Sequence, residues 1–318
     1  MKKIFPLFLV PFIVFICPTC LNNQKLTWIS TTEKEPWIEW TVESAVPIES
    51  PEIEILLNNQ QQTIEGFGTC FNELGWTSLS LLSNEDREDI IRELFKPGVG
   101  ANFTICRMPV GANDFARKWY SYDETDGDFE MKDFSIANDQ ETLIPFIRNA
   151  QKYNPSLKIW ASPWSPPTWM KYNHHYACRS ILGNSDYQND TYGIYSAGIN
   201  NGLQPERECR EGTDMFIQDE NYYKAYALYF SKFIKAYSEQ GIKISMVMPQ
   251  NEPNSVQVFP SCTWTSKGLA KFIAYLGPEM ETLGVDVFFG TMERADDRLV
   301  DTVLTDPQSG KYIRGVGF

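Results

Sequence analysis

From Thr63 to Phe318 the apolar positions change period repeatedly. Short β-leaning runs alternate with stretches whose apolar residues recur at helical spacing. The runs Thr63–Phe71, Phe103–Val110, Leu157–Ser162, Ile244–Met248, Val285–Gly290 and Tyr312–Phe318 predict six strands. Between them the spacing predicts helices over Ser83–Phe95, Asp139–Gln151, Glu220–Tyr237, Thr265–Leu283 and Asp297–Leu304. Ser83 is placed to cap the first helix and Gly284 to close the fourth. From Lys171 to about Asp219 there is no such pattern. A polar loop of that length in a compact domain points to function or disorder. Residues 21 to about 60 are polar, with Trp28, Trp37, Trp40 and alternating Ile53 and Ile55. They predict a small extended or β segment beside the main domain.

Repeated strand-helix units imply parallel strands joined by helical crossovers. An open doubly wound sheet and a closed (β/α)8 TIM barrel both satisfy that pattern. A dinucleotide-binding sheet carries Gly-x-Gly-x-x-Gly after its first strand. Gly66-Phe67-Gly68 is shorter and lies within the predicted strand. The reading is therefore α/β, a TIM barrel over residues 61–318. About six strands do not close an eight-stranded barrel, so the barrel is expected to be incomplete at its carboxyl end.

Composition narrows the partner. The net charge of −13 argues against nucleic acid, whose phosphates need clustered Lys and Arg. A neutral carbohydrate fits better, and nothing in the chain implies a protein partner. The two histidines, His174 and His175, are adjacent in the polar loop and read as solvated. Their scarcity weakens any Ser-His-Asp triad and any His-rich metal site. Carboxylates are left as the acid-base groups, and no metal or organic cofactor is implied. Met1-Lys2-Lys3 and the apolar Ile4–Cys17 stretch predict a signal peptide over residues 1–20. That places the protein outside the cell, in the periplasm or at the surface. Cys17 and Cys20 raise a lipoprotein anchor, but the residues before each match a lipobox poorly, so plain secretion stays open beside it. Of the five later cysteines, Cys178 and Cys209 share the long loop and are the best disulfide pair. Cys70 and Cys106 fall on predicted strands and read as buried thiols.

In a barrel the carboxyl ends of the strands converge on one face, where active sites are built. The sharpest such end is Met246-Val247-Met248-Pro249-Gln250-Asn251-Glu252-Pro253, where an apolar run stops at a polar pair and a proline. The other ends present Asn72 and Glu73, Arg107 and Asp114, Trp164, and Glu293. Carboxylates, an amide, an arginine and an aromatic are what glycoside hydrolysis requires. One carboxylic acid protonates the leaving oxygen, and a second carboxylate attacks the anomeric carbon or activates water. Trp164 offers an apolar face to a sugar ring, and Asn251 a hydrogen bond to its 2-hydroxyl. Trp264 lines an outer subsite or only packs. Arg107 is expected to pair with Glu293.

On these residues the chain resembles glycoside hydrolase family 30, which includes glucosylceramidases, β-1,6-glucanases and xylanases. The resemblance runs from about Ile64 to Phe318. It rests on Gly66-Phe67-Gly68, on Arg107-Met108-Pro109-Val110 with Asp114-Phe115, on Ala161 to Met170 with its Ser-Pro-Trp-Ser-Pro-Pro-Thr-Trp core, on Gln250-Asn251-Glu252-Pro253, and on Leu304-Thr305-Asp306-Pro307 with Tyr312 and Gly315. It implies a retaining mechanism on a barrel joined to a β-sandwich, to which the N-terminal segment would contribute. Glu252 then matches the acid/base and Asn251 the 2-hydroxyl contact. Asp114 and Trp164 match residues lining the sugar subsite, and Arg107 an arginine near the acid/base. The family nucleophile, a Glu ending the seventh strand, matches no position here and is expected beyond Phe318. Glu293 is the in-chain rival. The expected substrate is β-linked glucose, in a β-1,6-glucan or a glucosylated lipid, with xylan as the alternative. A reading from another class is a catalytically incomplete fragment or a glycan-binding remnant that keeps Trp164 and Asn251 without turnover.

Overall fold

The computed structural model describes residues 26–42, 56, 58–182 and 200–318. The predicted leader and the Ile53/Ile55 alternation lie outside the described residues. The chain divides into two compact units at Thr63/Ile64. In the first, strands β1 (Leu26–Ser30) and β2 (Ile38–Val42) pair antiparallel, with Trp28 opposite Trp40. The Trp40 indole N–H donates to Ser30 Oγ at 2.8 Å.

The second unit is a parallel sheet packed with helices. Its strands are β3 (Ile105–Pro109), β4 (Lys158–Ser162), β5 (Ile244–Val247), β6 (Asp286–Phe289) and β7 (Ile313–Val316). They lie in sequence order, each beside the next. A doubly wound sheet would reverse order at a switch point, so this order selects the singly wound, barrel-type topology. The barrel is not closed within the described residues. Side chains alternate across β3 and β4. Cys106, Met108, Ile159 and Ala161 are buried, while Arg107 and Trp160, paired in register, face the other side and are half-buried.

The predicted first strand is not a regular strand. Residues 67–71 run beside β3 through a single parallel bridge, Cys70 to Arg107. Thr104 N–H donates to Phe67 O, Arg107 N–H to Thr69 O and Phe71 N–H to Arg107 O. The approach is so close that a Cβ on Gly68 would fall 1.4 Å from Ile105 O, so only glycine fits there.

Helices α1 (Glu73–Ser80), α2 (Asn84–Phe95), α3 (Leu143–Tyr153), α4 (Glu220–Glu239), α5 (Ser266–Leu283) and α6 (Asp297–Thr305) complete the unit. Ser83 Oγ caps α2 by accepting from Asp86 N–H, and Gly284 ends α5 in the left-handed region at φ 67°. The expected start of α3 at Asp139 is instead a 3-10 turn over Ala137–Glu141. Helix α1 was not anticipated. Asn72 caps it, accepting from Gly75 N–H at 2.7 Å. Glu73 is buried and accepts from Arg117 and Asn138. Glu73 thereby braces the loop after β3, while Asn72 serves its own helix start. The core is aromatic where α4 and α5 meet the sheet. Phe216, Trp264, Phe272 and Tyr226 stack there, with Phe216 and Trp264 at 4.7 Å.

Candidate active site

Glu252 follows β5 and its position is fixed on both sides. Asn251 N–H donates to Pro163 O at 2.7 Å and Glu252 N–H to Thr291 O at 2.6 Å. These bonds tie the loop after β5 to those after β4 and β6. Glu252 has φ 49°, a left-handed conformation that a residue with a Cβ holds only under outside constraint. Its side chain is half-buried. Burial raises its carboxyl above the usual glutamate range, and the negative Glu293 and Asp114 add to that, against a lowering bond from Gln257. A carboxyl so placed keeps its proton to higher pH than a free one, as a general acid requires.

Beside it, Arg107 reaches from the middle of β3. Its Nη2 donates to Asn251 Oδ1 at 2.6 Å, to Ser162 Oγ at 2.7 Å and to Thr291 Oγ1 at 3.2 Å. Thr291 Oγ1 also donates to Asn251 Oδ1 at 2.9 Å. With its oxygen taken by two donors, Asn251 has its Nδ2 left as donor on the side of Glu252, whose carboxyl it also bonds. The guanidinium also lies over the Trp164 ring at 4.2 Å and the Trp160 ring at 4.9 Å, a favourable cation-π geometry. The expected Arg107–Glu293 pair does not form. Glu293 is taken by its neighbour Arg294, whose Nη1 donates to Glu293 Oε2 at 2.5 Å. Among the described residues Arg107 has no carboxylate within ion-pair distance. Lysine keeps the charge but not the planar fork. Arg107→Lys is therefore expected to destabilise the protein by about 2 kcal/mol, read as a lower urea midpoint at unchanged slope. An unchanged midpoint would mean that these bonds are not made in solution.

The other expected residues are placed unevenly. Asp114 is exposed at the rim after β3 and acts on Glu252 through its charge. Trp164 is only 5% exposed, with one face under Arg107. It is the wall beneath the site rather than an open platform, and presents what Arg107 leaves uncovered. Trp264 is 1% exposed and stacked on Phe216 and Phe272. A ring so covered packs in the core, and it contributes only a narrow strip to a cleft past Asn254. Its indole N–H donates to Gln250 Oε1 at 3.2 Å.

Four contributors were not singled out beforehand. Ser162 and Thr291 fix the Arg107 fork. Fully buried Gln250 donates to Trp164 O and to Asn251 O, both at 2.7 Å, and so locks the loop on which Glu252 sits. Gln257 donates to Glu252 itself. Of these, Gln250 carried a signal, a polar residue inside the strand-end motif. Beyond the site, Cys178 and Cys209 form the expected disulfide. His175 is half-buried instead of solvated, since its Nδ1 accepts from Ala177 N–H and its Nε2 bonds Asn201 O. Among the described residues no group of three His, Cys, Asp or Glu side chains is arranged to hold a metal ion.

An open cleft of about 490 Å³ lies past the loop after β5, lined by Glu211, Asn254, Trp264, Thr265, Arg294 and Asp296 among others; Glu252 itself is not in its wall. Arg294 feels the charge of Glu252 and is fixed by Glu211 Oε2 at 2.8 Å and Asn254 O at 2.6 Å. The cleft wall thus combines hydrogen-bonding groups held in place with a comparable share of apolar surface from residues such as Trp264, Ala295 and Leu299.

The profile of the glycosyl hydrolase family 30 TIM-barrel domain matches residues 64–199 and 209–318. The chain is 30% identical over 274 residues to putative glucosylceramidase 1 of Caenorhabditis elegans, covering 82% of this chain and 46% of that protein. It is 29% identical over 313 residues to the endo-1,6-beta-D-glucanase neg1 of Aspergillus fumigatus, covering 95% of this chain and 57% of that one. The chain thus spans about half the length of the curated relatives it matches. Among solved structures, SrfJ from Salmonella typhimurium superposes with a TM-score of 0.70 at 23% identity, covering 91% of this chain and 58% of that one, a likeness of fold. With the profile spread across the whole parallel sheet and the strand-end residues gathered around Glu252, the chain belongs to glycosyl hydrolase family 30.

Proposed function

We propose that the protein is a retaining β-glycoside hydrolase acting on β-linked glucose, with Glu252 as its acid/base. The observation that carries this reading is the setting of Glu252. It is a half-buried carboxyl at a strand end, raised in pKa, beside an amide whose oxygen is already engaged. In the first step Glu252 gives its proton to the glycosidic oxygen while a second carboxylate attacks the anomeric carbon, leaving a glycosyl-enzyme. In the second step Glu252 takes a proton from water, and that water's oxygen displaces the carboxylate. Asn251 Nδ2 would hold the sugar 2-hydroxyl, and Asp114 a hydroxyl at the rim. The attacking carboxylate must sit roughly 5–5.5 Å from Glu252. We assign it to sequence following Phe318, where it would answer the uncompensated charge of Arg107. Glu293, already held by Arg294, is the weaker candidate.

The leaving group departs on the side of the acid. The cleft past Asn254 is in the size range of ligand sites, and Glu211, Arg294 and Asp296 in its wall offer hydrogen bonds to saccharide hydroxyls. β-1,6-Glucan is favoured over glucosylceramide because the endo-1,6-beta-D-glucanase of Aspergillus fumigatus matches 95% of this chain and putative glucosylceramidase 1 matches 82%. The basic, apolar leader supports action outside the cell. In a panel of β-1,6-glucan, glucosylceramide and xylan given to the full-length protein, release of glucose units chiefly from β-1,6-glucan is expected. Cleavage of xylan alone would overturn the glucose assignment. Saccharide binding without turnover of any of the three would favour a glycan-binding remnant.

A further inference from the structure

We propose that Gln257 is a positioning residue for Glu252, holding its carboxyl in one orientation from a backbone anchored by the Cys178–Cys209 disulfide. This rests on the reading of Glu252 as the acid/base. The side-chain amide of Gln257 donates to Glu252 Oε2 at 3.1 Å and to Ser255 Oγ at 2.7 Å. An amide N–H is accepted better by the unprotonated oxygen, so the bond to Oε2 biases the proton toward Oε1. Gln257 thereby favours Oε1 as the oxygen that faces the leaving group.

The amide can do this because its own backbone is clamped. Cys178 N–H and Arg179 N–H both donate to Gln257 O, at 3.0 and 2.9 Å. Gln257 N–H reaches Ser261 Oγ, which also accepts from Cys178 N–H. Val256, the preceding residue, packs against the two bridged cysteines. The disulfide closes a separation of 31 residues, and its Cys178 end is one backbone hydrogen bond from Gln257. A connected path therefore runs from the disulfide through two backbone amides and Gln257 to the carboxyl of Glu252.

Several charges face that carboxyl. Asp114 comes from the loop after β3, Arg107 from β3 itself, and Glu293 and Arg294 from the loop after β6. Gln257 donates to Glu252 Oε2, and the Asn251 side chain bonds the same carboxyl more weakly. The Gln257 bond favours the charged form, opposing burial and the two acids. Its removal has a signed consequence. The carboxyl should hold its proton to higher pH, and the proton should no longer be biased toward Oε1.

The test is the titration of the Glu252 carboxyl by carbon NMR in the full-length protein, assigned by difference from Glu252→Gln. In Gln257→Leu the midpoint should rise by roughly half to one pH unit, the equivalent of one ordinary hydrogen bond. In Gln257→Glu, which adds a third acid, it should rise further. The alkaline limb of kcat/KM should move with it. Turnover of an unactivated β-glucoside should fall about tenfold more than turnover of a substrate whose leaving group needs no proton. A midpoint unmoved in Gln257→Leu would overturn the proposal. If the midpoint moves but the wild-type protein cleaves no glycoside, the functional reading fails and the positioning role stands. In the folded Cys178→Ser/Cys209→Ser variant a smaller shift in the same direction is expected. No shift there would remove the disulfide from the path.

Discussion

Glu252→Gln is expected to lower kcat/KM on an unactivated β-glucoside by about 10²- to 10⁴-fold, the usual contribution of a positioned general acid. Glutamine keeps the shape and can still meet Gln257, but it has no proton to give at the pH of assay. A substrate whose leaving group departs readily as an anion does not need that proton in the first step, so its glycosylation should suffer far less. The second step still needs a base, so the glycosyl-enzyme should accumulate. Loss of activity through unfolding can be separated by sign. The native carboxyl of Glu252 is raised above the free value of 4.5, first by burial. The native state therefore holds this proton over a window in which the unfolded chain has released it. Stability from this group falls as pH rises through that window, and glutamine escapes the loss. At pH 7 the variant should melt at or above the wild-type temperature. A variant that turns over the unactivated glucoside at wild-type rate would remove Glu252 from the chemistry.

Glu252 was legible because it breaks a pattern. A polar pair and a proline end an apolar run, and that contrast survives in one dimension. The parts that aim it do not show in this way. Ser162 and Thr291 are 55 and 184 positions from Arg107. In sequence each is a small polar residue at a strand end, where turns put such residues anyway. The same limit explains the wrong partner for Arg107. An arginine and a glutamate at neighbouring strand ends invite pairing, but the sequence does not show that Arg294, next to Glu293, reaches it first. Trp264 and Trp164 were read by residue type, and type does not say whether a ring faces solvent or Phe216. The alternation of strand and helix was legible, since each period repeats over several residues. The segment 67–71 was not, because its regularity is lost to a close approach at Gly68 that only the neighbouring strand reveals.

Asp139→Ala is expected to destabilise the protein by about 3–5 kcal/mol, the sum expected for several buried hydroxyls left without their acceptor. Asp139 is fully buried and accepts from three tyrosines: Tyr120 at 2.6 Å, Tyr122 at 2.7 Å and Tyr237 at 2.5 Å. Two of these lie in the loop after β3 and the third near the end of α4. The carboxyl is therefore the knot that ties the Asp114 loop to the helical layer. Alanine strands three hydroxyls in a dry site, each worth about 1–3 kcal/mol when left without a partner. Some relaxation is available, because Tyr122 also stacks on Phe233 at 5.8 Å and on Tyr229 at 5.6 Å. Even the lower figure is a large part of the roughly 5–15 kcal/mol by which domains are stable. Urea unfolding should show the midpoint falling at unchanged slope, with a melting point lower by on the order of 10 °C. Tyr120→Phe, which removes one donor and leaves the acid with two, should cost about 1 kcal/mol. A loss below that value in the alanine variant would mean that the three hydroxyls find other partners. In that case the loop after β3, and with it Asp114, must be held by Glu73 and Arg117 instead, a bond whose carboxylate is 1% exposed.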